Sequence, residues 1–316
     1  MSCASITDKN RKEFSLVTIK EITNTFANIE NVQPRWAAIT QGLYYYQGKI
    51  TSPKLNFYAL QIDLSSTNLR IVVKGGDEAD DGATLSARVS SFTRDNNLIA
   101  GINASPFDVS SPTEGLPIKN VGVIISDGVL LSPAISQYDA LVFYKDGTAA
   151  VVNQASIMSF ENINNAVGGF YQILIDGSTA ERTKINLEHN VSALDDVAEA
   201  QLALNTQEVS ASHEASHEAV RHPRSAAGIS ADGRYLYLLV IDGRQLRSIG
   251  ATEEETALLL LSLGSWEGIN FDGGGSSTLA LRFPNGKVKV MNTPIHKYFP
   301  GQERAVAGCL GIAVKE

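Results

Sequence analysis

Four dipeptides punctuate the chain where an extended backbone has to reverse. Asp127-Gly128 separates VGVIIS from VLLS, and Asp146-Gly147 separates LVFYK from TAAVV. Asp232-Gly233 precedes RYLYLLVI, and Asn285-Gly286 stands between LRFP and KVKV. Such pairs supply the positive φ angles that tight hairpin loops require. Four of them between apolar, β-branched runs commit much of the chain to antiparallel pairing. Further strand signals agree: NFYALQIDL (56–64) alternates apolar and polar residues, LRIVVK (69–74) follows it, and LIAGINAS (98–105) reads as a buried strand ending in a polar loop.

Helices are fewer. Leu85, Val89 and Phe92 in TLSARVSSFTRDNN (84–97) are spaced for one buried face. Thr252 can cap a second helix with Glu255 reciprocating, ALLLLSL (257–263) supplies its buried turns, and Gly264 stops it. The expected fold is α+β: a single domain with a large mixed, mostly antiparallel sheet flanked by helices. Residues 1–39 are polar and irregular and read as a lead-in to a domain at 40–316. An inserted flap is expected at about 185–220, where the chain turns polar and LDDVAEAQLALN could form an amphipathic helix.

A formal net charge of -8 argues against nucleic acid or an anionic membrane as the main partner, while leaving room for a local basic pocket that holds one phosphate. Cys3 and Cys309 are too few for a disulfide framework. No apolar run is long enough to span a bilayer as a helix. The start, MSCASITDKN, has a cysteine followed by small and polar residues, as a mature bacterial lipoprotein does. It predicts an extracytoplasmic protein tethered through Cys3; the alternative is a chance cysteine in a polar tail. Oligomeric state is not encoded in any of these features.

His213-Glu214-Ala215-Ser216-His217 matches H-E-x-x-H, the zinc-metalloprotease helix. A catalytic zinc needs a third protein ligand and a buried helix. The flanks here, VSAS and AVRH, are polar, and the match arises from a duplicated SHEA. His222 precedes a proline, where helix is disfavoured, and no downstream ligand stands out. A solvated segment is the expected outcome, with the zinc protease as the alternative. No metal or cofactor is expected to be required; a structural calcium has no support in the sequence.

Chemistry-bearing residues are denser in SWEGINFDGGGSSTLALRF (265–283). Strand alternation puts Asn270 and Asp272 on one face and Ile269 and Phe271 on the other. Gly273, Gly274 and Gly275 can leave backbone N–H groups uncovered beside the hydroxyls of Ser276 and Ser277, which suits an anion such as phosphate. A plain tight crossover is the alternative. Arg224 before one apolar strand, Asp242 and Arg244 after the next, and Asn103 after a third also sit where sheets carry sites. Each could instead be a local turn cap.

Together these stretches resemble the phosphodiester glycosidase family, which includes N-acetylglucosamine-1-phosphodiester α-N-acetylglucosaminidase. The motifs are GINASPFD, VGVIISDGVLL, AVGGFYQILIDG, HPRSAAGIS…YLLVIDGRQ, GATEEETALLLLSLG, INFDGGGSSTLAL and VMNTPI…ERAVAGCLGIAV, in family order over about residues 40–314. Two departures stand out: Asn103-Ala104-Ser105-Pro106-Phe107 where the family often has Asn-Gly and an aromatic pair, and Ser225 where it prefers Thr. The resemblance implies hydrolysis of a sugar-1-phosphodiester at the anomeric carbon, with a phosphorylated sugar or glycan as partner. A non-catalytic phosphosugar or cell-wall glycan binder is the alternative. It implies that Arg224, Arg244 and the Gly273–Ser277 turn hold phosphate, that Asp272 or Asp242 activates water or faces the oxocarbenium ion, and that Asn103 and Asn270 orient hydroxyls. Glu303 and Arg304 match the closing motif and would complete the pocket.

Overall fold

A computed structural model describes residues 24–74, 81–109, 113–180 and 220–315. Cys3, the H-E-x-x-H stretch at 213–217 and the amphipathic helix expected over 194–205 lie outside the described residues. The strands begin with β1 (Asn24–Phe26), β2 (Ala37–Thr40), β3 (Leu43–Thr51), β4 (Lys54–Asp63), β5 (Leu69–Val73) and β6 (Ala83–Leu85). Helix α1 (Val89–Asp95) precedes β7 (Ala100–Asn103), β8 (Pro117–Lys119), β9 (Ile124–Ser126), β10 (Val129–Ser132), β11 (Asp139–Tyr144) and β12 (Ala149–Asn153). Next come β13 (Ile163–Gly168), β14 (Gln172–Ile175), β15 (Ser178–Thr179), β16 (Arg224–Ile229) and β17 (Tyr235–Ile241). Helix α2 (Glu253–Leu263), β18 (Glu267–Asn270), β19 (Leu279–Arg282), β20 (Val288–Val290) and β21 (Cys309–Val314) complete the order.

The protein is mostly sheet, in several sheets, rather than one sheet flanked by helices. The largest runs β1-β3-β4-β17-β16-β18-β14-β15, with β2 also on β3. A second runs β10-β9-β13-β11-β12 and a third β20-β19-β7-β21-β5; β6 and β8 form a short ribbon. Every ladder is antiparallel except β1 on β3. Part of the stretch read as a lead-in is therefore sheet, because β1 and β2 both pair with β3. The helix expected over 84–97 is shorter: Ala83–Leu85 pairs with β8, and α1 starts only at Val89.

Alternation explains how the layers stack. In β4, Tyr58, Leu60 and Ile62 face the space between the large sheet and the two smaller ones. Leu55, Phe57 and Ala59 face the opposite way, into a second apolar cluster that also holds Ile29, Val32 and the buried leucines of α2. Tyr235–Ile241 splits the same way, so both faces are buried and the run is apolar throughout. Each large side chain of this kind contributes roughly 1.5–3 kcal/mol on full burial. The turn chemistry is borne out. Asp127 and Gly128 both have positive φ, whereas at 146–147, 232–233 and 285–286 only the glycine does. Asp176-Gly177, also with both φ positive, joins β14 to β15. Helix α2 begins with the expected capping box between Thr252 and Glu255 and ends at Gly264, φ 114°.

Candidate active site at one end of the sheets

Register gathers the predicted residues at a single end. Arg224 opposes Ile241, Ala226 opposes Asn270, Leu279 opposes Ile102 and Cys309 opposes Asn103. Strand ends from the large sheet and from the β7 sheet therefore converge on the Gly273–Ser277 turn. Asn103 fastens them. Its Nδ2 donates to the Asp272 carbonyl (2.6 Å), and its Oδ1 accepts from Ser225 Oγ (2.7 Å) and Thr278 N (3.1 Å). Asp272 N donates in turn to the Ala104 carbonyl (2.9 Å). Asn103 was expected to orient a sugar; its side chain instead pins the turn, and Ser225 supplies the hydroxyl that this pin requires.

The three glycines have separate reasons. A methyl on Gly273 would lie 2.8 Å from the Pro223 carbonyl, and Gly274 has φ +59°. A methyl on Gly275 would lie 2.9 Å from Nη2 of Arg304. Arg244 sits on the other side of the turn, with Nη2 3.5 Å from where a Gly274 methyl would be. Two guanidinium groups thus bracket the turn. The amides are less available than expected: Gly274 N donates to Pro223 O, Ser276 N to Gly273 O, Ser277 N to Gly274 O and Thr278 N to Asn103. The turn offers side chains instead. Asn270 Oδ1, Ser276 Oγ, Ser277 Oγ and Thr278 Oγ1 are buried with no hydrogen-bond partner among the described residues. Each such group costs roughly 1–3 kcal/mol if left unsatisfied, so four around one turn suit a polar ligand.

Each bracketing arginine is held by a histidine. Arg244 Nη2 and Arg304 Nε lie 3.1 Å from Nδ1 of His222 and His296 respectively. Arginine can only donate, so both Nδ1 atoms accept and both neutral rings carry their proton on Nε2. Burial, then the Arg304 charge, pushes the His296 pKa down to about 4. Arg244 also lies over the Tyr298 ring at 5.7 Å. Lys297 and Tyr298 have φ of 50° and 60°, two successive left-handed non-glycine residues. Strain of that kind, of order 1–3 kcal/mol per residue, tends to be kept at functional sites. Tyr298 and Phe299 are exposed and form an aromatic rim beside Arg244.

The remaining candidates separate into two groups. Asp272 is buried at the base of the turn, 6 % exposed. Asp242 lies beneath it, 2 % exposed, and its carboxylate accepts from Tyr58 Oη (3.2 Å), Asn292 Nδ2 (3.2 Å) and Thr293 N (2.9 Å). Desolvation raises its pKa to about 6 against these donors. Asn292 also donates to the Ser277 carbonyl (2.9 Å), so Asp242 supports the turn through it. Arg224 points to the first turn of α2: Nε donates to Ala251 O (3.0 Å), Nη2 to Val220 O (3.2 Å), and Nη1 lies 3.6 Å from Glu253. Glu303 accepts from Ser90 N and Oγ at the start of α1, and so acts as a cap rather than a pocket wall. His222, His296, Asn292 and Tyr58 were not anticipated as part of the site. Among the described residues no three His, Cys, Asp or Glu side chains gather as a metal site, and no helix is long and apolar enough to cross a membrane.

Comparison with known proteins gives the family and the fold. Residues 96–313 match the phosphodiester glycosidase family model. The SPbeta prophage-derived uncharacterized protein YomE of Bacillus subtilis (strain 168) is 28 % identical over 280 residues, covering 87 % of this chain but only 37 % of that protein. The chain thus spans well under half the length of this relative. Among solved structures, the catalytic domain of zebrafish N-acetylglucosamine-1-phosphodiester α-N-acetylglucosaminidase, described as auto-inhibited by its pro-peptide, superposes with a TM-score of 0.58 at 20 % identity, covering 92 % of this chain and 87 % of that one. A hypothetical protein from Synechocystis gives a TM-score of 0.55 at 14 % identity, covering 90 % and 64 %. These two share the fold, and the family match spans more than half of the sequence. The chain belongs to the phosphodiester glycosidase family.

Proposed function

We propose that this chain hydrolyses a sugar-1-phosphodiester at the anomeric carbon, giving free sugar and a phosphomonoester. The observation that carries this is the pair of guanidinium groups, Arg244 and Arg304, on either side of the Gly273–Ser277 turn, with Asp272 at its base. Guanidinium forks match phosphate oxygens and stabilise the phosphomonoester as it leaves. A phosphomonoester leaves far more readily than an alcohol, so little general-acid help is needed. The remaining task is to stabilise the oxocarbenium-like centre and bring in water. Asp272 takes that role. Asp242 positions the turn from below through Asn292, and Arg224 anchors α2 to β16 rather than touching substrate. Tyr298 offers a ring face to the sugar or its aglycone. N-acetylglucosamine is the expected sugar, and a cell-envelope glycan fits an extracytoplasmic protein held by a lipid on Cys3. The chemistry asks for no metal or cofactor.

The test is release of free sugar from a panel of sugar-1-phosphodiesters by the wild type and by Asp272→Asn. Release by the wild type alone, with both proteins equally folded, supports the proposal. Full activity in the variant overturns the role of Asp272. Saturable binding with no product from any member of the panel would make the protein a glycan-binding module.

A further inference from the structure

A cleft of about 360 Å³ opens at the other end of the sheets. The seven residues of β17 run from Ile241 beside the glycine turn to Tyr235, which pairs with Asp63 on the cleft wall. At about 3.3 Å per residue the two places are about 20 Å apart. Arg70 from β5, Lys145 from the β11–β12 turn and Lys315 after β21 line this cleft. Among the described residues none of the three side chains is in an ion pair. Two carboxylates also line it. Asp63 is held by Arg234 at 2.8 Å, which leaves Asp127 as the one carboxylate there without a basic partner among the described residues. Three cations against one such carboxylate make a local positive field on a chain of net charge -8.

A second observation concerns the wall of the same cleft. Asn165 is 1 % exposed and lines the cleft. Its Oδ1 accepts from Asp127 N at 3.0 Å, while its Nδ2 has no hydrogen-bond partner among the described residues. A buried carboxamide with a donor to spare asks for an oxygen atom. The volume lies in the range of small-molecule sites and exceeds what a bare anion fills.

We propose that this cleft binds a phosphorylated sugar: Arg70, Lys145 and Lys315 hold the phosphate, and the Asn165 carboxamide donates to a ring oxygen. The proposal does not depend on the hydrolytic function proposed for the glycine turn. The probe is glucose 6-phosphate, titrated while the side-chain amide resonance of Asn165 is followed by NMR. That resonance should shift saturably. In the double variant Lys145→Ala/Lys315→Ala its midpoint should move to about tenfold higher concentration, with the thermal unfolding midpoint and the sugar-release rate as in the wild type. An Asn165 resonance that does not move, or an equal midpoint in the double variant, would overturn the site. Inorganic phosphate acting at the same concentration as glucose 6-phosphate would overturn the sugar part of the assignment.

Discussion

The two ends of the sheets carry cationic groups of opposite character. At the glycine turn, Arg304 is buried, Arg244 is half-buried, and each is fixed by a histidine Nδ1. At the far cleft, Arg70, Lys145 and Lys315 are exposed side chains in no ion pair among the described residues. A fixed guanidinium has already lost its conformational freedom and acts without reorganising, which suits a reaction. A free lysine adapts to its ligand and gives up entropy only on binding, which suits recognition. One protein thus holds positive charge in two ways, fixed at the glycine turn and free at the far cleft.

Substitutions can break or sharpen that contrast. The largest effect is expected for Asp272→Asn, a loss of sugar release of roughly 10³-fold with the fold intact, read by turnover and circular dichroism. Gly275→Ala should displace Arg304, lowering turnover roughly 10²-fold and destabilising by about 1–3 kcal/mol in denaturant titration.

Asp242→Asn tests the buried support. The folded pKa of Asp242, about 6, lies above its ordinary 3.8, so its contribution to stability is complete below about pH 4 and is lost as pH rises through 6. The variant should gain up to about 3 kcal/mol on the wild type between pH 4 and 7. His296, with its pKa lowered to about 4, works the other way: its contribution is complete above its ordinary 6.5 and is lost as pH falls through 4. Removing Asp242 should therefore leave a steeper acid-side decline in stability. Smaller still, Tyr298→Ala should raise KM about tenfold with kcat nearly unchanged if the ring only receives substrate. The smallest effect is expected for His213→Ala/His217→Ala. Turnover should be unaffected, and a large loss together with stoichiometric zinc in the wild type would revive the protease alternative.

Local signals were legible in the sequence wherever the physics is local. Turn dipeptides set the hairpins, and TEEE with Gly264 set α2, because caps and positive φ depend on a few neighbouring residues. The division into several sheets was not legible, since β7 pairs with β19 and β21, residues nearly 180 and over 200 positions away. The same limit shaped the site. Asp272 and the glycine turn declared themselves by composition. Asn103 and Glu303 looked like ligand groups because their partners, Ser225 and Ser90, are brought to them only by the tertiary fold. His222 and His296 carried no pattern at all; nothing in RHP or IHK announces an arginine 22 or 8 residues further on.

Strand β21 has a consequence for the order of assembly. It follows every other strand of its sheet in sequence, yet it lies between β7 and β5, and Cys309 at its start is the register partner of Asn103. A growing chain therefore has β5 and one edge of β7 waiting open until some 200 further residues have been made, even after β19 has paired with the other edge of β7. Contacts of such long sequence separation fold slowly and leave strand edges exposed meanwhile. Shortening the chain by its last ten residues removes no predicted ligand of the substrate, yet should yield an aggregating, inactive protein whose sheet was never closed.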